Sequence, residues 1–387
     1  MGKGRLGFLL VLMLSAWFLN GCTAGHPEPS PSPAEGPGPM ESMVRTIDHF
    51  MADGVVSVVV QVRWPGGEWT NAYGGRSLDN DDPARTQDRF SAGSVTKSMV
   101  AAEVLKLVDE GRLSLDDPVE GTLRELAPML HPPGHVSVRQ LLNHTSGMPD
   151  FVAPLYTGRS LLSVEGTRLS MLEGLKLAAT QAWESRNVGY FNYSNANYLA
   201  LGLLIENLRH KPLAQALGAD IFRPLSLDRT SLGEPDRTAG DNLHGYIADD
   251  AVEVDVTQAE GLVGSPASGI VSTTEDINDF YRALLGGRLV SAKSLSDMKM
   301  TGLGNYGLGL IRSGDGCSAG YRYGHSGDVF GYLTASITSD DGGSQVTMAV
   351  ALPPLPAEGN TAVERRVKLY AAQMQSAAQE TLDRLCQ

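Results

Sequence analysis

Apolar positions change their period along the chain, and the change separates the two ends from the middle. Met40, Met43, Val44, Ile47, Phe50 and Met51 recur at helical spacing and predict an amphipathic opening helix that Gly54 stops. Val55 to Val62 is a β-branched run, Pro65-Gly66-Gly67 supplies a turn and Trp69 to Tyr73 returns, which reads as a hairpin. Strand-rich stretches reappear at Gly307 to Arg312, Tyr321 to Ser326, Tyr332 to Thr338 and Val346 to Leu352. A closing helix follows, with Val363, Val367, Tyr370, Met374, Ala377 and Leu385 on one stripe. The middle is helical. Ser94 to Asp109 carries Val100, Val104, Leu107 and Val108 on one face before Gly111 stops it, and Tyr198 to Leu208 is apolar nearly all round, hence buried. The pattern predicts an α+β fold: one antiparallel sheet built from both chain ends, flanked by the terminal helices, with an inserted mainly helical region. A substrate is expected in the cleft between sheet and helical region.

Length and charge narrow the classes of function. At 387 residues the chain is long enough to bury a large core without disulfide staples. Its 31 Lys and Arg against 44 Asp and Glu give a net charge of −13, which argues against nucleic-acid binding, because that needs a basic face. A small or peptide-like substrate fits better.

The first residues read as an address. Lys3 and Arg5 precede an apolar run from Phe8 to Leu19, too short for a comfortable membrane span but the size of a secretory signal. The run ends Leu19-Asn20-Gly21-Cys22, which resembles the bacterial lipoprotein signal, in which the cysteine becomes the lipidated N-terminus. Asn20 is a less usual residue there, so cleavage to a secreted form and an uncleaved anchor helix are the alternatives. Residues 1–22 are thus expected to be a signal, 23–40 a stiff Pro-rich spacer, and 41–387 a catalytic domain held outside the cytoplasm on a lipid anchor. With Cys22 lipidated, Cys317 and Cys386 are the remaining thiols, and an oxidising exterior favours their pairing over two free, buried cysteines.

Three short segments carry candidate chemistry. In Ser94-Val95-Thr96-Lys97 the spacing of three sets a hydroxyl and an amine one helical turn apart, where a desolvated, neutral lysine can take the serine's proton. The N–H of Ser94, at a helix start, is available to an oxyanion. Ser296-Asp297-Met298-Lys299 repeats the pattern but reads as a solvated surface segment. In Tyr193-Ser194-Asn195, residues two apart in an extended segment face the same way, and this copy is preferred over Tyr190-Phe191-Asn192 for its place at a helix start. His325-Ser326-Gly327 puts a ring, a hydroxyl and a flexible residue on a strand edge.

In this order, with Leu141-Leu142-Asn143-His144-Thr145-Ser146-Gly147 between the first two segments and Gly269-Ile270-Val271-Ser272-Thr273 before the third, the chain resembles the penicillin-recognising serine hydrolases from about Met40 to its C-terminus. It is most similar to D-alanyl-D-alanine carboxypeptidases of the soluble streptomycete type, with class C β-lactamases and related esterases as neighbours. The resemblance implies Ser94 as nucleophile, Lys97 as proton acceptor and Tyr193 as proton relay to the leaving group. It implies Asn195 as the residue that orients Lys97 and the substrate, His325 and Ser326 as contacts to a terminal carboxylate, and the N–H of Asp328 as second oxyanion donor. His144 reads as structural. His325 replaces the lysine of many relatives, and as a partly protonated ring it would bind a carboxylate in a pH-dependent way. Asp328 adds a negative charge there; pointing inward, it would favour a neutral ester. Arg312 is a surface strand residue or, alternatively, the carboxylate anchor.

Metal chemistry is disfavoured, because the eight histidines never form His-Glu-x-x-His and the three cysteines lack paired spacing. The expectation is therefore a monomeric, cofactor-free serine hydrolase of D-alanyl-D-alanine peptides. β-Lactams would be its inhibitors or substrates; the alternatives are a β-lactamase or esterase, or a sensor that binds without turnover.

Overall fold

The computed structural model describes residues 38–386, apart from 125–126, 158–162, 165–167, 234–239, 250–251, 258–264, 303 and 357–360. The signal-like run, Cys22 and the spacer up to residue 37 lie outside the described residues. No helix among the described residues is long and apolar enough to cross a membrane.

Helix α1 (Glu41–Ala52) leads into β1 (Ser57–Trp64) and β2 (Gly67–Gly74). The middle supplies α2 (Thr96–Asp109), α3 (Asn195–Arg209) and α4 (Thr274–Leu285). The chain closes with β3 (Ile311–Gly314), β4 (Tyr321–Val329), β5 (Tyr332–Ser339), β6 (Gln345–Ala351) and α5 (Thr361–Arg384). The six strands form one antiparallel sheet in the order β2-β1-β6-β5-β4-β3, so the two ends of the chain meet where Ser57 pairs with Ala351 and Val60 with Met348.

The run from Val55 to Val62 is continuous rather than alternating because both faces of β1 are covered. Val58, Val60 and Val62 pack with Ile47, Phe50, Tyr370 and Met374 beneath α1 and α5. Val59 instead joins Ile277, Phe280 and Leu284 of α4 in the core shared with the helical region. Polar residues on that face are paired: Asn278 Nδ2 donates to Gln61 Oε1 at 2.8 Å and Thr347 Oγ1 donates to Asn278 Oδ1 at 2.7 Å. Cys317 and Cys386 form a disulfide that ties the end of the chain to the loop before β4.

Three sequence expectations need correction. Gly307 to Leu310 is a turn and not strand; Gly309, at φ +74°, brings its carbonyl to the Ser98 hydroxyl on α2 at 2.7 Å, and β3 begins at Ile311. The Gly/Leu alternation that reads as a strand is here a close approach of backbone to helix. Helix α2 is buried around almost its whole circumference, because sheet, α3 and α4 enclose it. Its α-helical part starts at Thr96, and Ser94 lies on a single 3₁₀ turn, Gly93–Val95. Two small sheets were not legible: 90–91 with 231–232 on either side of 270–272, and 246–249 with 252–255 and 355–356.

Candidate active site

The turn that carries Ser94 is fixed from three sides. Ala92 N–H donates to Ile270 O at 2.9 Å, Thr96 Oγ1 donates to Gly93 O at 2.7 Å, and Ile270 N–H donates to that same hydroxyl at 3.0 Å. Gly93, at φ +55°, lets the turn press onto β4, where an added Cβ would come 3.0 Å from the Asp328 nitrogen. Gly327 is required from the other side, since a Cβ there would meet Ala92 O at 2.1 Å. The turn and the strand therefore touch backbone to backbone, beside the hydroxyl of Ser94.

Around that hydroxyl, Lys97 Nζ donates to Ser94 Oγ at 3.0 Å and the Tyr193 hydroxyl donates to the same oxygen at 3.0 Å. Lys97 also donates to Asn195 Oδ1 and to Ala267 O, each at 2.8 Å. The amine is fully buried, walled by the rings of Tyr193 and Tyr198 at 4.8 and 5.6 Å. Burial lowers its pKa to about 7, opposed by the charge of Asp150. The Tyr193 phenol moves the other way: desolvation pushes it above its usual value, so it stays protonated. Asn195 is oriented in turn by Asp150, whose Oδ2 accepts from Asn195 Nδ2 at 3.0 Å.

His144, at φ +58° and fully buried, stacks against Tyr193 with ring centroids 4.1 Å apart. Its Nδ1 accepts from Asn197 Nδ2 at 3.1 Å and from Ser194 N–H at 3.3 Å, so the start of α3 is held through this ring. Burial keeps its pKa well below 6.5, so the ring is neutral.

The structure corrects the reading of His325 as a cationic contact. The ring is buried, and desolvation, reinforced by the Lys97 charge, lowers its pKa to about 3. Nδ1–H donates to Ser326 O at 2.6 Å and the Tyr306 hydroxyl donates to Nε2 at 2.9 Å. Both nitrogens are thus engaged in a neutral imidazole. Arg312 is not among the residues that line the cleft: its guanidinium lies over the Tyr321 ring at 4.2 Å and donates to Asn305 Oδ1 at 3.2 Å. It is the surface strand residue of the two alternatives. Ser326 and Asp328 both line the cleft, Ser326 partly buried and Asp328 exposed. Ser296 is exposed, and Lys299 pairs with Asp340 at 2.8 Å, as a solvated segment should.

Sequence reasoning missed Asp150, Tyr306 and the carbonyl of Ala267. Asp150 lies three residues past the Asn143–Gly147 segment, where an acidic residue beside a glycine turn was a usable signal. A backbone carbonyl leaves no trace in side-chain chemistry. The site opens into a cavity of about 750 Å³ that also takes in Phe151, Leu155, Leu169 and Leu199 from the helical region.

Solved structures place this arrangement among relatives. The chain is similar to a D-stereospecific amidohydrolase from Streptomyces sp., at 28% identity and a TM-score of 0.71 over 80% of this chain and 93% of that one. It is also similar to the D-amino acid amidase of Ochrobactrum anthropi SV3, at 24% identity and a TM-score of 0.73, covering 90% of this chain and 98% of that one. Among curated proteins it is 24% identical over 211 residues to Protein flp of Staphylococcus aureus (strain N315), covering 54% of this chain and 41% of that protein. The chain thus spans less than half the length of that relative. A family model described as Beta-lactamase matches residues 43–366, and with the sheet, the helical region and the serine–lysine–tyrosine cluster it fixes the assignment: this chain is a member of the Beta-lactamase family.

Proposed function

We propose that the protein is a serine hydrolase that works through an acyl-enzyme on amides or esters with an uncharged leaving group, the acyl part being D-configured. Ser94 Oγ attacks the carbonyl and its proton passes to the neutral amine of Lys97. The N–H groups of Ser94 and Asp328 receive the developing oxyanion. As the tetrahedral intermediate collapses, the Tyr193 hydroxyl gives its proton to the leaving nitrogen or oxygen and is reprotonated from Lys97. Water then attacks the acyl-enzyme by the same route and releases the acid.

The observation that carries the choice of leaving group is His325: a ring held neutral by burial, with both nitrogens engaged, offers no charge to a terminal carboxylate. The likeness to a D-stereospecific amidohydrolase at 28% identity supports the D configuration. A D-alanyl-D-alanine carboxypeptidase that penicillins acylate is the second reading, favoured by Ser326, whose hydroxyl lines the cleft as a neutral donor for a carboxylate. A lipid-anchored, extracytoplasmic location through Cys22 belongs to the same proposal, and the Cys317–Cys386 disulfide supports an oxidising compartment.

The test is a matched pair, N-acetyl-D-alanyl-D-alaninamide against N-acetyl-D-alanyl-D-alanine, with the L-configured amide as control. The D-amide should be cleaved at least about tenfold faster than the carboxylate. Equal or faster release of D-alanine from the free acid overturns the leaving-group assignment in favour of the carboxypeptidase. In parallel, intact mass after penicillin treatment should show an adduct that Ser94→Ala abolishes.

A further inference from the structure

The cavity is longer than the catalytic cluster needs, and its two ends differ. Tyr306 bridges His325 at 2.9 Å and packs 6.2 Å from Tyr193, so this end of β4 belongs to the leaving group. Asp328 lies against the Ser94 turn. The chain then runs on through Val329 to Phe330, roughly 7 Å past Asp328 at the rise of a strand, away from Tyr193 and toward the acyl side. There the ring of Phe330 meets Tyr156 from the helical region edge-on, with centroids 6.4 Å apart. Ile247, Leu352, Val363 and Val367 also line the cavity. The two valines were expected to face the sheet with the rest of the α5 stripe; both are half-buried and border the cavity, and Val367 also packs against the core beneath the sheet as expected.

We propose that this lobe, bounded by Tyr156 and Phe330 and walled by Ile247, Leu352, Val363 and Val367, is the binding site for a long apolar substituent on the acyl part of the substrate, and that it sets the enzyme's acyl specificity. The assignment rests on the acyl-enzyme reading. A cavity of about 750 Å³ lies in the upper part of the range that takes drug-sized ligands, roughly 300–1,000 Å³. An acetyl group leaves most of it unfilled. Filling it with methylenes removes apolar surface from water, and the two charged side chains that also line the cavity from α5, Glu364 and Lys368, are exposed.

Initial rates with p-nitrophenyl acetate, butanoate, hexanoate and octanoate, each split by water into p-nitrophenol and the alkanoic acid, read this out. The expected result is a rise in kcat/KM of about fourfold per buried methylene, the transfer value for a CH₂ group, through hexanoate at least. Val367→Trp and Val363→Trp, which fill the lobe from α5, should each lower the octanoate-to-acetate ratio by at least about tenfold. Rates are normalised to sites labelled by a fluorophosphonate, so a partly folded variant does not distort the ratio, and either variant suffices. A flat or falling chain-length profile, or a ratio unmoved in the variants, overturns the lobe. Absence of both labelling and turnover overturns the hydrolase reading instead. The lobe is then judged by calorimetric binding of octanamide against butanamide to the Ser94→Ala protein: tighter octanamide binding, weakened by Val367→Trp, upholds it, and equal binding overturns it.

Discussion

Lys97 occupies a place where a charged amine is disfavoured. Its nitrogen is fully buried against the rings of Tyr193 and Tyr198, and that desolvation outweighs the three acceptors around it, Ser94 Oγ, Asn195 Oδ1 and Ala267 O, which by themselves favour the ammonium form. With a pKa near 7 and protonation blocking proton uptake from Ser94, kcat/KM should fall about tenfold per pH unit below 7 and level off above it. Tyr193, pushed upward, adds no alkaline limb in the neutral range. A pH–rate profile measured from pH 5 to 9 checks this; an acid limb centred near 4 would exclude Lys97 as proton acceptor. The same shift has a signed effect on stability. Between about pH 7 and 10.5 the unfolded chain carries a proton on Lys97 that the folded chain lacks, so this residue's contribution rises with pH across that window and is level below it. Lys97→Met should remove that slope in denaturant titrations. What the sequence carried at this scale was local: the spacing of Ser94 and Lys97 implies one turn of separation, and Tyr193 and Asn195 were legible as a pair. The charge state of His325 was not, because it depends on burial created by Tyr306 and β5, distant in the chain.

Between elements, the closest fit is β4 against the Ser94 turn. Gly327→Ala places a methyl where Ala92 O already lies, and neither partner is a flexible side chain that can swing away. The strand and the turn must separate by about an ångström, moving the Asp328 nitrogen relative to Ser94. The expected effect is a loss of acylation on the order of 100-fold with the fold retained. Fluorophosphonate labelling rates beside near-ultraviolet circular dichroism would measure both; full-rate labelling would remove this contact from the oxyanion arrangement. Long strands and the terminal helices were readable because each carries an unbroken apolar run or a helical apolar period over seven or more residues. The paired two- and three-residue strands that steady Phe90–Ala92 are too short to leave a period, and Gly307 to Leu310 mimics one without forming it.

For the molecule as a whole, the C-terminal helix is held down at its far end. Arg322 of β4, 2% exposed, pairs with Asp315 at 2.7 Å and Asp383 at 2.6 Å, and the Cys317–Cys386 disulfide closes the same corner. The bridge spans 69 residues of sequence, so opening it should lower stability by up to about 4 kcal/mol on the chain-entropy model. Guanidinium unfolding of the native protein and of the Cys317→Ser/Cys386→Ser double variant would measure the difference; coincident midpoints would mean that the ion pairs alone secure the corner. The overall arrangement of sheet, terminal helices and inserted region was legible from the chain, but the reach of α5 into the cavity was not, since a helical stripe does not say which of its residues overhang the sheet.

The pairing of β1 with β6 also bears on how the molecule comes into being. The strand at 57–64 is synthesised well before the neighbour that covers its inner edge, 345–351. Because β6 is a central strand and not an edge, a nascent or truncated chain ending before residue 345 is no smaller enzyme: it is a hairpin and a β3–β5 sheet with nothing between them. Maturation must therefore wait on a contact of very high sequence separation, which makes folding slow and leaves an open hydrophobic edge for chaperones to guard in the meantime.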